Sequence, residues 1–515
     1  MNIVIRNVDI LDGTGSPAFR ADMGLEGDRI AAIGDLSVVT ADTVIDGTGL
    51  TAAPGFIDMH SHSDFTLPIN PRAESKVRQG VTTEVIGQCG DSTAPLNPAT
   101  RELAQAASPH LPWDWTSFGE YLDCLRRQGL AVNVVPLVGH GAIRGVAMGL
   151  NDRAPTASEM AAMRRMVTQA MDEGAWGIST GLIYPPGLYA STDELVELAR
   201  VVAERGGFYS SHIRGEGTRL LKAVGEAIEI GERARLPVQI AHLKASKPEN
   251  WPLLPQALKL IDDARARGLD VAADRYPYTA SSTSLSAMLP PWAHDGGRTA
   301  LLDHLRLPEA RQRLLAGARA RQWDKVLIAH SPTCPAIENL TVAEIADQRG
   351  TAPDETVLDI LLETEARVSV IHFGMKEENL HAVLRHPAVM IGSDGSARTP
   401  KGPLGEGKSH PRSYGTFPRV LGKYVREEGV LSLPEAVRKM SGLPAERLGL
   451  SGRGRLAKGM KADVVLFNPD TVRDKATYTE PYQYPVGIEY VFVNGQVVVG
   501  PEGHTGALPG QILSR

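Results

Sequence analysis

Residues 54–62 read PGFIDMHSH, a short apolar run that ends in two histidines. The run has the length and composition of a buried strand, and His60 and His62, two residues apart, would project from one face of that strand. Two imidazoles on one face can approach a single metal ion, although a pair of polar residues at a strand end has the same spacing. The stretch predicts a strand whose end carries candidate metal ligands.

Similar apolar runs recur along the chain and alternate with amphipathic helical stretches. Counting the first, they cover residues 55–62, 81–86, 133–138, 176–180, 208–213, 238–243, 270–274 and 389–394. Eight strands that alternate with helices are typical of repeated βα units, so the sequence predicts an α/β fold with a (β/α)₈ TIM-like barrel over residues 55–450. Two further strand-like runs, 325–330 and 367–372, are surplus to eight. We assign them to an insertion before the eighth strand, a lid-like segment at about residues 280–347.

The two ends of the chain resemble each other more than either resembles the middle. Residues 1–54 and 451–515 consist of short β-rich runs punctuated by glycine and aspartate. Neither end has enough strands for a stable sheet with a buried face. We therefore expect both ends to meet in one small β-sandwich domain beside the barrel.

Composition excludes several classes of protein. The 515 residues contain 54 Lys and Arg against 60 Asp and Glu, a net charge of −6, which argues against a nucleic-acid partner. Three cysteines form no disulfide framework and favour a reducing compartment. The N-terminus does not resemble a signal peptide, and no apolar run approaches the ~18–20 residues of a membrane span. We expect a cytoplasmic protein with no membrane partner, and its oligomeric state stays open.

Polar residues follow five of the predicted strands, where barrel enzymes build their active sites. Besides the first histidine pair these are Cys89, His212, His242 and Asp394. Each alone has a structural alternative, since a free cysteine is usually a small buried hydrophobe. Together, histidine nitrogens and a thiolate suit Zn²⁺ with one position left open for water. The set therefore predicts a catalytic zinc site.

Asp394 belongs to a Ser-Asp-Gly sequence that is also common in turns. It follows the apolar run that begins at residue 389, so it is predicted to point into the same mouth as the metal ligands. A carboxylate there can take a proton from water and return it to a leaving amine. Asp394 is the candidate general base and general acid.

These motifs resemble the amidohydrolase superfamily, and within it the N-acyl-D-amino-acid deacylase (D-aminoacylase) family. The first resemblance rests on residues 54–62 with His212, His242 and Asp394. The second rests on 85-VIGQCG-90, 211-SHIRGEG-217, 241-AHLK-244, 274-DRYPY-278 and 411-PRSYGTFPR-419. A cysteine after the second strand, in place of a carboxylated lysine or glutamate, is the most specific feature. The resemblance covers nearly the whole chain.

The resemblance implies a role for each matching residue. Cys89, His212 and His242 would hold one tightly bound zinc ion, while His60, His62 and Asp394 would form a second, weak site. Lys244 and Arg412 would bind the substrate α-carboxylate, with Tyr276 and Ser282 beside them. A guanidinium fork and an ammonium group suit a carboxylate, although each residue could also be an ordinary surface lysine or loop ion pair. Tyr184 is a further candidate for substrate binding.

The implied reaction is zinc-dependent hydrolysis of an N-acyl-D-amino acid to a carboxylate and a free D-amino acid. One alternative is a cyclic amide hydrolase similar to dihydropyrimidinase or dihydroorotase, but its strand-four lysine has no counterpart in 176-WGIST-180. The other is a non-catalytic scaffold, which would be expected to lose metal ligands. The side-chain preference stays open: an acidic one needs a further cation (Arg275, Arg298 or Arg398), and an apolar one could use Tyr184, Leu188 and Trp292.

Overall fold

The computed structural model describes residues 1–318 and 322–515. Its strands are β1 (Ile3–Ile10), β2 (Phe19–Glu26), β3 (Arg29–Gly34), β4 (Thr43–Asp46), β5 (Thr51–Pro54), β6 (Phe56–Asp58), β7 (Val81–Ile86), β8 (Asn133–Pro136), β9 (Val138–Gly139), β10 (Gly177–Gly181), β11 (Phe208–His212), β12 (Val238–Ile240), β13 (Val271–Arg275), β14 (Ala280–Ser284), β15 (Val326–His330), β16 (Ser369–Phe373), β17 (Val389–Ile391), β18 (Val464–Phe467), β19 (Ile488–Val493), β20 (Gln496–Gly500) and β21 (Gly503–His504).

The α-helices are α1 (Glu74–Val77), α2 (Pro98–Ala107), α3 (Phe118–Gln128), α4 (His140–Met148), α5 (Ala157–Asp172), α6 (Thr192–Ala203), α7 (Leu220–Ala234), α8 (Leu254–Ala266), α9 (Gly297–Arg306), α10 (Pro308–Ala318), α11 (Val342–Arg349), α12 (Pro353–Glu363), α13 (Glu377–Arg385), α14 (Arg412–Arg419), α15 (Leu433–Met440) and α16 (Gly442–Leu448). A π-helical segment, Val420–Glu427, continues α14. The chain is thus an α/β protein, as predicted. Among the described residues, no helix combines the length and apolar character needed to cross a bilayer.

The predicted middle strands are parallel. β6, β7 and β8 form one parallel sheet, and β9, β10, β11, β12, β13 and β17 follow one another in a second. β8 and β9 are two parts of the predicted run 133–138, interrupted at Leu137, whose N–H donates to the Ile86 carbonyl at 3.0 Å. A parallel bridge between Ser61 and Gly395 links the segments after β6 and β17. All these strands therefore present their carboxyl ends to the same side.

The helices between the strands bury one face each. In α7 the buried residues include Leu220, Ala223, Val224, Ala227 and Ile228, the spacing of an apolar stripe that faces a sheet. α5 and α6 begin at N-caps with threonine and serine side chains that accept from backbone N–H groups. This packing stabilises the parallel strands. The segments at their carboxyl ends are not needed for it and can therefore carry polar groups.

Both chain ends contribute to one nine-stranded sheet. Its order is β21-β20-β19-β18-β5-β1-β2-β3, and β4 pairs with β1. β5 and β18 pair antiparallel, which brings Pro54 opposite Val464. Only Gly55 separates β5 from β6, and a Cβ atom on this residue would clash with Thr82. The end sheet therefore joins the parallel strands without a linker.

The surplus strand-like runs form a separate small sheet. β14, β15 and β16 pair antiparallel in the order β14-β16-β15, so this sheet extends from Ala280 to Phe373. Its helices and strands share an apolar cluster that includes Leu285 and Val357. The register places Ser282 opposite Ile371. Ser282 therefore lies on a strand of the insertion rather than in a loop.

Candidate functional site

The candidate ligands come from segments that follow the parallel strands. The strand-face argument for the first pair was wrong, because β6 ends at Asp58 and both His60 and His62 lie in the turn beyond it. Three other members have left-handed backbone, with φ of 57° at Cys89, 35° at His242 and 52° at Asp394. Non-glycine residues in this region cost about 1–3 kcal/mol each and cluster at functional sites. This concentration of strained backbone indicates that these turns form a functional site.

Cys89 lies at the centre of the cluster. Its Sγ is 3.3 Å from His60 Nε2, 3.6 Å from His212 Nδ1 and 3.7 Å from His242 Nε2. The two latter histidine nitrogens are 2.9 Å apart. Four predicted ligands from different segments of the chain therefore converge on one buried point.

Asp394 completes the cluster from the segment after β17. Its Oδ1 is 3.1 Å from His62 Nε2 and 3.6 Å from His60 Nε2. Its Oδ2 forms an ion pair of 2.6 Å with Arg412 Nη1. The carboxylate thus connects the histidine pair to the candidate substrate-binding arginine.

Charges in the cluster oppose the effect of burial. Burial alone would raise the pKa of Cys89, but the charge on His60 and histidine hydrogen bonds bring it well below its usual range. Burial would also raise the pKa of Asp394, but Arg412 and the nearby histidines hold it well below its usual range. The pKa of His62 rises to about 10, because contacts with Asp394 and Cys89 outweigh burial. The surroundings thus favour the anionic forms of Cys89 and Asp394.

The donor set suits a zinc ion. Donor atoms of His60, Cys89, His242 and Asp394 lie within 4.8 Å of one another, and those of His212, Glu216 and His242 do so as well. One thiolate, several imidazoles and a carboxylate are characteristic zinc ligands. A divalent cation would compete with protons for these imidazoles, because metal binding releases protons. His60 lies nearer to Cys89 than His212 does, and His62 contacts Asp394, so contacts connect the six predicted donors to one another.

Asp274 and Glu216, which the sequence analysis quoted without a role, contact the histidines, and Gln88 contacts the backbone beside His60. Asp274 Oδ1 is 3.2 Å from His60 Nδ1 and accepts a 2.8 Å hydrogen bond from the His242 backbone N–H. Glu216 Oε1 is 3.2 Å from His242 Nδ1 and also pairs with Lys244. Gln88 donates to the Met59 carbonyl at 2.9 Å. Such partners hold the orientation of metal-ligating histidines.

A cavity of about 710 Å³ opens over the donor cluster. Lys244, Tyr276 and Arg412 line it together, and both cations lie over the Tyr276 ring, at 5.8 Å for Lys244 Nζ and 4.9 Å for the Arg412 guanidinium carbon. His410 accepts from the Arg412 backbone N–H at 3.0 Å and its other ring nitrogen is 3.0 Å from the Ala280 carbonyl. The predicted carboxylate-binding residues are therefore together, and His410 holds the backbone that carries Arg412.

The remaining predicted residues lie at the rim of the cavity. Ser282 and Tyr184 both line it, and the Tyr184 hydroxyl is 3.1 Å from the Thr283 hydroxyl across the mouth. Tyr276 lines the cavity, whereas Tyr278 of the same DRYPY motif does not. Among the described residues, Lys244 and Arg412 are the cationic side chains that line the cavity, and Arg275, Arg298 and Arg398 do not.

The sequence analysis missed a buried charge cluster behind the metal ligands. Lys76 Nζ donates to Asp58 Oδ2 at 2.7 Å and Ser393 Oγ at 2.8 Å, and it lies 3.4 Å from Glu84 Oε2. Lys76, Asp58 and Glu84 have fully buried side chains. The cluster connects β6, β7 and the turn that carries Asp394. A glutamate inside the apolar run 81–86 was the available signal, because charged residues are rarely buried without a partner.

Replacing Lys76 with methionine is expected to lower the free energy of unfolding by about 3–5 kcal/mol, because Asp58 and Glu84 would keep buried, unbalanced negative charge. Chemical denaturation followed by near-ultraviolet circular dichroism measures this loss. Lys259→Met is the matched control, since Lys259 is 73% exposed and pairs with Asp263 on its own helix. Equal midpoints for the two variants would contradict a stabilising role for Lys76.

The chain belongs to the amidohydrolase family, whose model matches residues 43–499. It is 39% identical over 518 residues to a D-aminoacylase from Alcaligenes xylosoxydans xylosoxydans, covering 100% of this chain and 98% of that protein. N-acyl-D-glutamate deacylase from Bordetella bronchiseptica, solved with zinc and a phosphonate mimic of the tetrahedral intermediate, superposes with a TM-score of 0.87 at 38% identity. A D-aminoacylase structure that addresses a binuclear metal centre, with one-metal activation and second-metal attenuation, superposes with a TM-score of 0.86 at 36% identity. Both superpositions cover 100% of this chain and 100% of the solved chain.

Proposed function

We propose that this protein is a zinc-dependent N-acyl-D-amino-acid deacylase, which hydrolyses a linear amide to a carboxylate and a free D-amino acid. The observation that carries the proposal is the cavity that holds the Cys89 cluster beside Lys244 and Arg412. Such a cavity places an amide next to a metal site and an α-carboxylate next to two cations. The D-configuration rests on the similarity to D-aminoacylase and N-acyl-D-glutamate deacylase.

Cys89, His212 and His242 would hold one tightly bound zinc ion, and His60, His62 and Asp394 would contribute a second, weaker site. The donor atoms of Cys89, His212 and His242 lie 2.9–3.7 Å from one another, so the three can share one ion. The chemistry that zinc supplies when bound is polarisation of the amide carbonyl and a lowered pKa of water.

Asp394 is the proton carrier of the proposed reaction. Its position beside His62 and Arg412 keeps it ionised, so its carboxylate can accept a proton from the attacking water. It then donates this proton to the departing amine nitrogen. The ion pair with Arg412 holds the carboxylate in one orientation while the reaction proceeds.

Arg412 and Lys244 would bind the α-carboxylate, which orients the amide over the donor cluster. Arg412 carries five N–H donors, so it can contact both Asp394 and a substrate carboxylate. The absence of a third lysine or arginine from the described lining favours an uncharged amino-acid side chain over an acidic one. That side chain would lie near Ile183 and Tyr184, which line the cavity below the insertion.

The proposed architecture follows from the strand order. We infer that the parallel strands from β6 to β17 close as a (β/α)₈ barrel, supported by the Ser61–Gly395 bridge. Residues 1–54 and 451–515 would form the small β-sandwich domain, and residues 55–450 would form the hydrolase barrel with its insertion over the mouth.

Purified zinc-loaded protein incubated with N-acetyl and N-hexanoyl derivatives of D- and L-amino acids tests this proposal through release of free amine. We expect release from D-substrates with uncharged side chains and at least ~100-fold less from their L-enantiomers, given the three-point placement of carboxylate, amide and side chain. Ring opening of dihydrouracil or dihydroorotate to its N-carbamoyl acid, which frees no amine and is followed by chromatography, without hydrolysis of the N-acyl compounds, would instead favour the cyclic amide hydrolases. No release from any compound, despite bound zinc, would contradict the deacylase proposal.

A further inference from the structure

The cavity extends beyond the donor cluster into an arm with apolar walls. We call this the apolar arm and define it by Phe65, Leu96, Leu103, Ala104 and Trp113, all of which line the cavity. These residues come from the segments that follow β6 and β7. None of them is needed to bind a metal ion, a carboxylate or a proton, so the arm has no role in the reaction as described so far.

Helix α2 forms one wall of the apolar arm. Its cavity-lining residues, Thr100, Leu103, Ala104 and Ala107, have the spacing of one helical face. No residue of α2 is buried, and Leu103 is 58% exposed. A helix that packed its apolar face against the protein would bury these residues. Ala104 packs in part against the core, and the rest of this face, with Leu103, is available to a ligand in the cavity.

Trp113 is held in the apolar arm by a strained backbone. Its φ is 49°, which is unusual for a bulky residue, and its side chain is buried. The indole N–H donates to the Ser108 carbonyl at 2.9 Å, and the ring lies 6.4 Å from that of Phe65. Strain of this kind persists where the surrounding structure enforces it, often at ligand sites. The aromatic wall is therefore a rigid part of the cavity.

The apolar arm and Lys244 lie on different sides of the donor cluster. Leu96, Leu103 and Trp113 follow β7, whereas Lys244 follows β12. Strands β8 to β11 stand between β7 and β12 in the parallel order. A linear substrate whose carboxylate is bound by Lys244 therefore has its opposite end directed towards the arm.

The geometry of the amide bond shows that the substrate end opposite the carboxylate is the acyl chain. A trans amide directs the amino-acid Cα and the first carbon of the acyl chain away from each other. With the carboxylate on Lys244 and Arg412 and the carbonyl over the donor cluster, the acyl chain continues into the apolar arm. Asp91 also lines the cavity, and no cation among the described residues lines the arm, so a charged acyl carboxylate is disfavoured there.

We infer that the apolar arm is an acyl-chain site that selects N-acyl-D-amino acids with apolar acyl groups longer than acetyl. This inference rests on the proposed deacylase function and specifies its substrate class. Each buried methylene adds about fourfold to binding. The N-hexanoyl substrate should therefore exceed its N-acetyl counterpart in kcat/KM by at least ~10-fold.

The experiment measures kcat/KM for N-acetyl, N-butanoyl, N-hexanoyl and N-succinyl derivatives of one uncharged D-amino acid. We expect a rise from acetyl to hexanoyl, and a value for succinyl at least ~10-fold below that of butanoyl, which has the same number of carbons. Equal values for acetyl and hexanoyl would overturn the acyl-chain site alone. No hydrolysis of any derivative would overturn the proposed function and the acyl-chain site with it.

Leu103 provides the variant that locates the effect. Leu103→Asp is expected to reduce the hexanoyl-to-acetyl ratio to about 1, since a carboxylate replaces apolar wall, and Leu103→Ala is expected to reduce it in part. Val38→Asp is the matched control, because Val38 is 92% exposed and lies between β3 and β4, outside the cavity. The hexanoyl-to-acetyl ratio of this variant should stay at the wild-type value. An unchanged ratio in Leu103→Asp would overturn the assignment of the arm.

Discussion

Replacing Cys89 with serine is expected to remove tightly bound zinc and lower kcat/KM by at least ~1000-fold, because its thiolate is the proposed anionic ligand and lies at the centre of the cluster. Its Sγ lies within 3.7 Å of a nitrogen on each of three histidines, so no other group can take its place without moving the strand ends. Loss of partners that only orient ligands typically costs 10–100-fold in metal affinity, and loss of the ligand itself should cost more. Metal analysis after dialysis and steady-state kinetics measure the two effects.

The control for this experiment is Cys124→Ser. Cys124 lies on α3, half-buried and outside the cavity, so its replacement should leave zinc content and activity unchanged. The serine at position 89 is close to cysteine in size, so the fold should be preserved. A Cys89→Ser protein that kept one zinc ion per chain and wild-type kcat/KM would exclude Cys89 as the zinc ligand.

Replacing Asp394 with asparagine is expected to lower kcat by about 1000-fold while the tightly bound zinc remains, because the amide cannot carry the proton from water to the leaving amine. Asparagine keeps the shape of the side chain, and the Cys89, His212 and His242 donors are unchanged. Zinc content and single-turnover kinetics on an N-acyl-D-amino acid separate loss of proton transfer from loss of metal.

Asp263→Asn is the control for this variant, since Asp263 is an exposed residue on α8 that pairs with Lys259. It should retain wild-type kcat. A loss of zinc in Asp394→Asn equal to that in Cys89→Ser would show that Asp394 belongs to the tight site. An unchanged kcat would exclude it as the proton carrier.

The eight middle strands could be predicted because each is a short apolar run between helical stretches, and every predicted run contains a parallel strand. Their ends were less accurate. The run 389–394 was predicted as strand throughout, but β17 ends at Ile391, and Asp394 lies in a left-handed turn. The pattern of apolar residues indicates which residues are buried, not which ones form strand hydrogen bonds. Because the turn residues after these strands are also buried, the predicted runs extended beyond the ends of the strands.

The polar residues at the strand ends could be listed from the sequence, but their partners could not. Lys76 was missed because a lone lysine in a short helix has no pattern that predicts burial. Its partners Asp58 and Glu84 come from two different strands, and only strand pairing brings them within reach of its ammonium group. Glu216 stood inside a quoted motif, yet its contact with His242 depends on the path of the turn after β11.

The sequence by itself determined the alternation of strands and helices, the identity of the candidate ligands and the cationic pair for a carboxylate, because these follow from residue type and local spacing. Tertiary structure alone decided that six donors form one cluster, that Tyr276 rather than Tyr278 faces the cavity, and that Leu103 faces it from α2. The physical reason is that these properties depend on distances between segments far apart in the chain. Such distances are set by strand order and helix packing.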